Sequence, residues 1–168
     1  MVAKLIINDK TFDIEILDPK LQEIIVPKKT GYEIAKLGEV YYHLDSYNTI
    51  IPIKKEAIRE DDIYRAVANY YSSREIAENN ARADKLMRQL RRFAVENREH
   101  ELNWNDDDQA KYIITYRHET KKFFPEDVYD MQDFGAIYFD SAETTCKAID
   151  TFKDELIWYF TEYKDSLR

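Results

Sequence analysis

Two stretches of this chain pass from an aromatic run into a helix start in the same way. The first is Ala68-Asn69-Tyr70-Tyr71-Ser72-Ser73-Arg74-Glu75. The second is Ala136-Ile137-Tyr138-Phe139-Asp140-Ser141-Ala142-Glu143. In each, strand-forming aromatics give way to a cap residue, Ser72 or Asp140, with Glu75 or Glu143 three places on. That spacing is the capping box, in which cap oxygen and carboxylate satisfy each other's free backbone N–H groups. A long amphipathic run follows both times. The pattern predicts an α+β chain carrying two copies of one strand-to-helix unit.

Each unit reads β-β-β-α. In the first, Glu39–Leu44 is a strand, Asp45–Asn48 a turn and Thr49–Ile53 the returning strand. Arg59–Asp62 is a polar loop, Ile63–Tyr71 a third strand, and a helix covers about 74–98. In the second, Tyr112–Tyr116 is a strand, His118–Lys121 a turn, and Lys122–Phe124 returns before Pro125. Glu126–Asp133 is an acidic loop, Gly135–Phe139 the third strand, and a helix covers about 142–167. Ahead of both units, residues 2–17 read as a hairpin. Leu5, Ile6 and Ile7 precede Asn8-Asp9-Lys10, after which Phe12, Ile14 and Ile16 alternate with Asp13 and Glu15. Residues 18–31 are a tether closed by Pro27-Lys28-Lys29-Thr30-Gly31. The chain thus divides into 1–31, 32–105 and 106–168, with antiparallel sheets each packed by a helix.

Composition bounds the function. With 168 residues and 23 aromatics (eight Phe, thirteen Tyr, two Trp) the chain can bury a real core. A net charge of −8 argues against a general nucleic-acid-binding surface. The single Cys146 forms no internal disulfide and fits a reducing cytosol. No apolar run is long enough for a membrane span, and no signal-peptide core is present.

Chemistry is sparse. The three His, at 43, 100 and 118, lack metal-ligand spacing. Asp106-Asp107-Asp108 lacks the alternation and Gly of a calcium loop and reads as a loop start. Three Gly in total leave no phosphate-binding loop, and no G-x-S-x-G elbow occurs. Cys146 sits at the edge of a helical seam and reads as a small packed hydrophobe. The expectation is a protein without a cofactor, a metal or a catalytic constellation. Carboxylate-only catalysis stays open.

Surface features are clearer. With Ala83, Leu86, Met87, Leu90, Phe93 and Ala94 buried, the first long helix turns Lys85, Arg88 and Arg92 outward, with Arg91 on the flank. These four either form a solvated face neutralised by nearby Glu and Asp or contact phosphates or an acidic partner. On the last helix the seam Thr145, Ile149, Phe152, Leu156, Tyr159, Phe160, Tyr163 and Leu167 leaves Trp158 on the opposite, polar face. An exposed Trp there is either covered by residues 1–30 or is an interface anchor. Trp104 plugs the joint between the units. Asp61, Asp62, Asp127, Asp130 and Asp133 offer an alternative, acidic contact surface.

Taken together, Lys4–Phe12, Lys28–Glu33, Tyr41–Asp45, Ala68–Glu78 and Phe134–Ser141 resemble features of small accessory proteins from phages and prophages of low-GC Gram-positive bacteria. The resemblance spans most of the chain, and its motifs are structural. It implies a protein made early in infection that acts by binding in the host cytoplasm. That pool includes type II anti-CRISPR proteins. The implied partner is a host defence protein or ribonucleoprotein, with a CRISPR effector nuclease among the candidates. The alternative is a nucleic-acid-binding or regulatory accessory protein that uses the basic helix face on RNA or DNA directly.

Overall fold

The computed structural model describes residues 2–7, 10–15 and 30–163. Three two-stranded antiparallel sheets and four α-helices make up the described part of this α+β chain. The first sheet pairs β1 (Val2–Ile7) with β2 (Lys10–Glu15), Val2 opposite Glu15. That is the expected hairpin. The expected tether falls almost wholly outside the described residues.

In the second sheet, β3 (Val40–Leu44) pairs with β4 (Ile50–Lys54) across a turn in which Asn48 takes a positive φ of 65°. The third expected strand does not form. Instead α1 (Arg59–Ala66) occupies the region read as loop and strand, and the chain returns only at Tyr71, which makes one rung with Tyr42. Both of its bonds, 2.8 and 2.9 Å, leave Tyr42 on the edge away from β4. Tyr42 and its partner Pro52 are therefore a non-hydrogen-bonded pair, and the missing N–H of Pro52 faces the outer edge of β4.

The third sheet repeats this geometry. β5 (Lys111–Arg117) pairs with β6 (Lys122–Val128), and Tyr112 bonds outward to Phe139 in a single rung. Pro125, opposite Ile114, likewise turns its missing N–H to the outer edge of β6. Strand β6 thus runs straight through Pro125, where the sequence suggested an end. Gly135–Phe139, expected as a strand, contributes only the Phe139 rung.

Two helices start where the joints predict, each capped one residue later than expected. Ser73 Oγ accepts from the Ile76 N–H at the start of α2 (Arg74–Glu96), and Ser141 Oγ accepts from Thr144 at the start of α3 (Ala142–Thr151). Ser72 is engaged elsewhere, donating to Glu33 (2.6 Å). Asp140 accepts from the backbone N–H groups of Glu99 and His100 and so ties the end of α2 to the start of α3. Burial opposes the charge on Asp140, but those N–H groups hold its carboxyl below the usual range. The last helix is not continuous. It breaks at Phe152 (φ −109°, ψ 20°), resumes as α4 (Lys153–Trp158) and closes in a π-helical turn, Tyr159–Tyr163.

Helix α2 is the spine. Its expected apolar face is inside, with Leu86, Leu90 and Ala94 packed on Phe139, Ala148 and Leu156. This core therefore joins α2 to the second hairpin and its helices. A smaller aromatic cluster closes the first hairpin. Tyr41 stacks on Tyr70 at 4.1 Å, and His43 stacks on Tyr64 at 4.0 Å. Trp104 packs edge-on against Tyr138 at 4.8 Å, in the joint where it was expected. Among the described residues no helix is long and apolar enough to cross a membrane.

Candidate functional site

The basic residues of α2 are exposed but do not form one free line. Arg88 donates to Asn48 in the β3–β4 turn at 3.2 Å, and Arg92 donates to Glu96 at 2.6 Å. Lys85 borders a polar cleft with Arg82 and Gln89, facing Asp150–Glu155. Arg91 borders a different groove, with Arg98, Val95 and Tyr138. Two of the four are thus held by neighbours, and the other two face separate depressions.

Trp158 is buried, only 6% exposed, which overturns its expected place on the polar face. Leu156 on the same helix keeps its expected buried place, so the helical phase holds and Trp158 is buried by what covers its face. Its cover is Arg82, whose guanidinium lies 4.0 Å above the ring while its Nε and Nη2 fork onto Glu155 at 2.7 and 3.2 Å. A guanidinium held this close over indole is a cation–π contact. Neither Arg82 nor Glu155 stood out in the sequence, because the pair spans distant segments. Cys146, within α3, is exposed rather than packed as expected.

The acidic candidates separate into two kinds. Asp61 is 2% exposed and accepts from the Tyr41 hydroxyl (2.8 Å) and the Ile58 N–H (3.1 Å). Burial opposes its charge, yet these two donors keep its carboxyl below the usual range. Burial together with Asp61 pushes the Tyr41 hydroxyl pKa upward. Asp61 is therefore a buried strut between β3 and α1 and is lost as contact surface. Asp62 stays exposed beside it. Asp127, Asp130 and Asp133 are exposed at the end of β6 and on the loop that follows.

That loop, residues 129–135, combines charge with exposed apolar side chains. Tyr129 is 42% exposed, Met131 70%, and Phe134 is as open as in an extended peptide. The base of the loop is pinned. Lys111 is fully buried, and its ammonium donates to the carbonyls of Tyr129 (2.8 Å) and Asp106 (2.9 Å) and lies 5.1 Å from the Trp104 ring. At the other end the Asp133 N–H donates to the Tyr138 hydroxyl oxygen, and the Ala136 N–H to the Asp133 carbonyl. Lys111 carried no sequence signal, since a lysine on a strand reads as a solvated residue.

Beside the loop the sheet edge is incomplete. In the first unit Leu44, two residues beyond Tyr42 on the same edge, finds a substitute rung. Its N–H donates to Asn69 Oδ1 (2.8 Å) and its carbonyl accepts from Asn69 Nδ2 (2.7 Å). In the second unit Ile114 stands where Leu44 does, and Ile137 stands where Asn69 does. An aliphatic side chain can supply neither donor nor acceptor. Among the described residues the outward N–H and carbonyl of Ile114 have no partner. The segment 134–137 diverges from β5 here. The gap is an apolar cleft of about 310 Å³, lined by Ile113, Ile114, Phe134, Ile137, Met87 and Leu86 among others.

Among the described residues no group of three or more His, Cys, Asp or Glu is placed to hold a metal ion. No protein-family model, no curated protein and no solved structure matches this chain.

Proposed function

We propose that this is a phage-type anti-defence protein of the bacterial cytoplasm that binds a host nucleic-acid-guided nuclease and blocks it without chemistry of its own. The observation that carries the reading is the loop at 129–135. A largely exposed Met131 sits between Asp130 and Asp133, and a fully exposed Phe134 follows them, on a base held by Lys111 and Tyr138. Large exposed apolar side chains on an ordered loop are characteristic of protein contacts. Flanking carboxylates favour a basic partner surface, such as the channel in which a guided nuclease holds nucleic acid. We also infer that the two halves descend from one unit. Each runs hairpin, single rung to the first strand and, two residues on, a serine cap, and each has a proline on the returning strand.

The basic face is the weaker alternative, because Arg88 and Arg92 are held by Asn48 and Glu96. The test is target cleavage by a reconstituted guided nuclease with and without the protein. The reading expects dose-dependent inhibition and co-elution, both lost in the Asp130→Lys/Asp133→Lys double variant while folding is unchanged. Free RNA binding with a steep salt dependence, lost on charge reversal of Arg88 and Arg92, would establish the alternative instead.

A further inference from the structure

We propose that the open edge of β5 at Ile114 docks an extended, basic segment of a protein partner, which adds to the second hairpin as its third strand. This rests on the reading that the protein works by binding, and it specifies the mode.

The first unit shows what a finished edge looks like. Tyr42 is bonded to Tyr71, and the next outward residue, Leu44, is bonded through both backbone groups to the Asn69 amide. The second unit stops after one rung. Tyr112 is bonded to Phe139, but Ile114 is not bonded outward, because Ile137 replaces the amide. A half-buried backbone with an unused donor and acceptor is a template for another strand. The outer edges of β4 and β6 are unsuitable, since Pro52 and Pro125 face them. Among the described residues of the two units, this hairpin edge alone is neither blunted by proline nor completed by an amide.

The surroundings select the occupant. The cleft beside Ile114 is apolar and of a size to accept side chains. Phe134, which lines the cleft, follows directly on Asp133, and Asp130 lies on the same exposed loop. A segment alternating apolar and basic residues would place apolar groups in the cleft and cations against the two carboxylates. A nucleic-acid strand would meet those carboxylates with like charge. A second copy of this chain, with its net charge of −8, is likewise disfavoured.

The probe is the peptide Lys-Val-Lys-Phe-Lys-Val-Lys, followed by titration calorimetry and by amide hydrogen exchange on the whole protein. The expected result is saturable binding that slows exchange at Ile114. The Asp130→Lys/Asp133→Lys variant, a fully N-methylated peptide, and Ile137→Asn, which restores the internal rung, should each weaken binding by about tenfold or more. Binding that leaves Ile114 exchange unchanged, equal affinity for the N-methylated peptide, or no binding at millimolar peptide would overturn the proposal. Wild-type protein that captures the peptide but blocks no nuclease sustains the docking edge and overturns only the nuclease assignment. A nuclease inhibited equally by the wild type and by a folded Ile137→Asn variant overturns the edge and leaves that assignment standing.

Discussion

The two strand-to-helix units share a plan and differ in how completely each is closed. In the first, Asn69 finishes the ladder, Glu33 knots the joint and Gly31 lets α2 pack tightly. In the second, an aliphatic residue stands where the amide should be, the loop before it is exposed, and the helix after it is broken. Under the docking proposed above, the first unit is scaffold and the second is working surface. One side chain at the same structural position, Asn69 or Ile137, decides whether a half-formed strand seals its sheet or leaves it open.

The contrast can be broken most forcefully at the glycines. Gly31 has φ +87°, and a Cβ there would lie 2.4 Å from Ile76 on the first turn of α2. Gly135 has φ +81° but open space around it. Gly31→Ala should destabilise by about 3 kcal/mol or more, from clash plus left-handed strain. Gly135→Ala carries the strain alone, about 1 kcal/mol. Denaturant midpoints check this, and equal losses would mean the two joints are equally tight.

Next in size is Asn69→Ala. It removes both bonds to Leu44 and leaves two half-buried backbone groups without partners, a loss of about 1–3 kcal/mol. The caps follow. Ser73→Ala and Ser141→Ala should each cost about 1 kcal/mol. The same change at Ser72 should act instead through Glu33, and so depend on pH.

That difference leads to the smallest effect. The Ser72 hydroxyl, the Thr30 N–H and hydroxyl, and the backbone N–H of Glu33 itself hold the Glu33 carboxyl down to about 2 from an ordinary 4.5. A depressed carboxyl stabilises fully above its unfolded value and loses that contribution as pH falls through the folded one. The wild type should therefore lose stability between pH 4.5 and about 2 in excess of Glu33→Gln. Parallel acid curves for the two proteins would show that the knot contributes nothing in solution.

Local patterns were readable from sequence, and tertiary choices were not. The aromatic joints, both hairpins and the body of α2 follow from periodicity and turn chemistry. The sequence points one residue early for each cap because Ser72-Ser73 and Asp140-Ser141 each put two good cap residues in tandem. Which one caps is decided by distant groups, Glu33 for Ser72 and the Glu99 and His100 amides for Asp140. Helix α1 is not legible in the sequence because Asp61 reads as a solvated acid until Tyr41 is folded over it. Trp158 reads as exposed from sequence because its cover, Arg82, comes from a distant segment, while the seam through Leu156 keeps its phase. The open edge at Ile114 could have been suspected from one signal. Aligning the two joints sets Ile137 against Asn69, a polar residue lost at a position facing a strand.

Residue-resolved amide hydrogen exchange on the free protein tests the difference between the units most directly. Leu44 and Ile114 occupy matching places on β3 and β5, and both are partly buried. The Leu44 amide, bonded to Asn69 Oδ1, should exchange slowly, with Ile114 faster by about tenfold or more. An Ile114 amide as protected as that of Leu44 would mean that the second edge is closed, and would contradict the account.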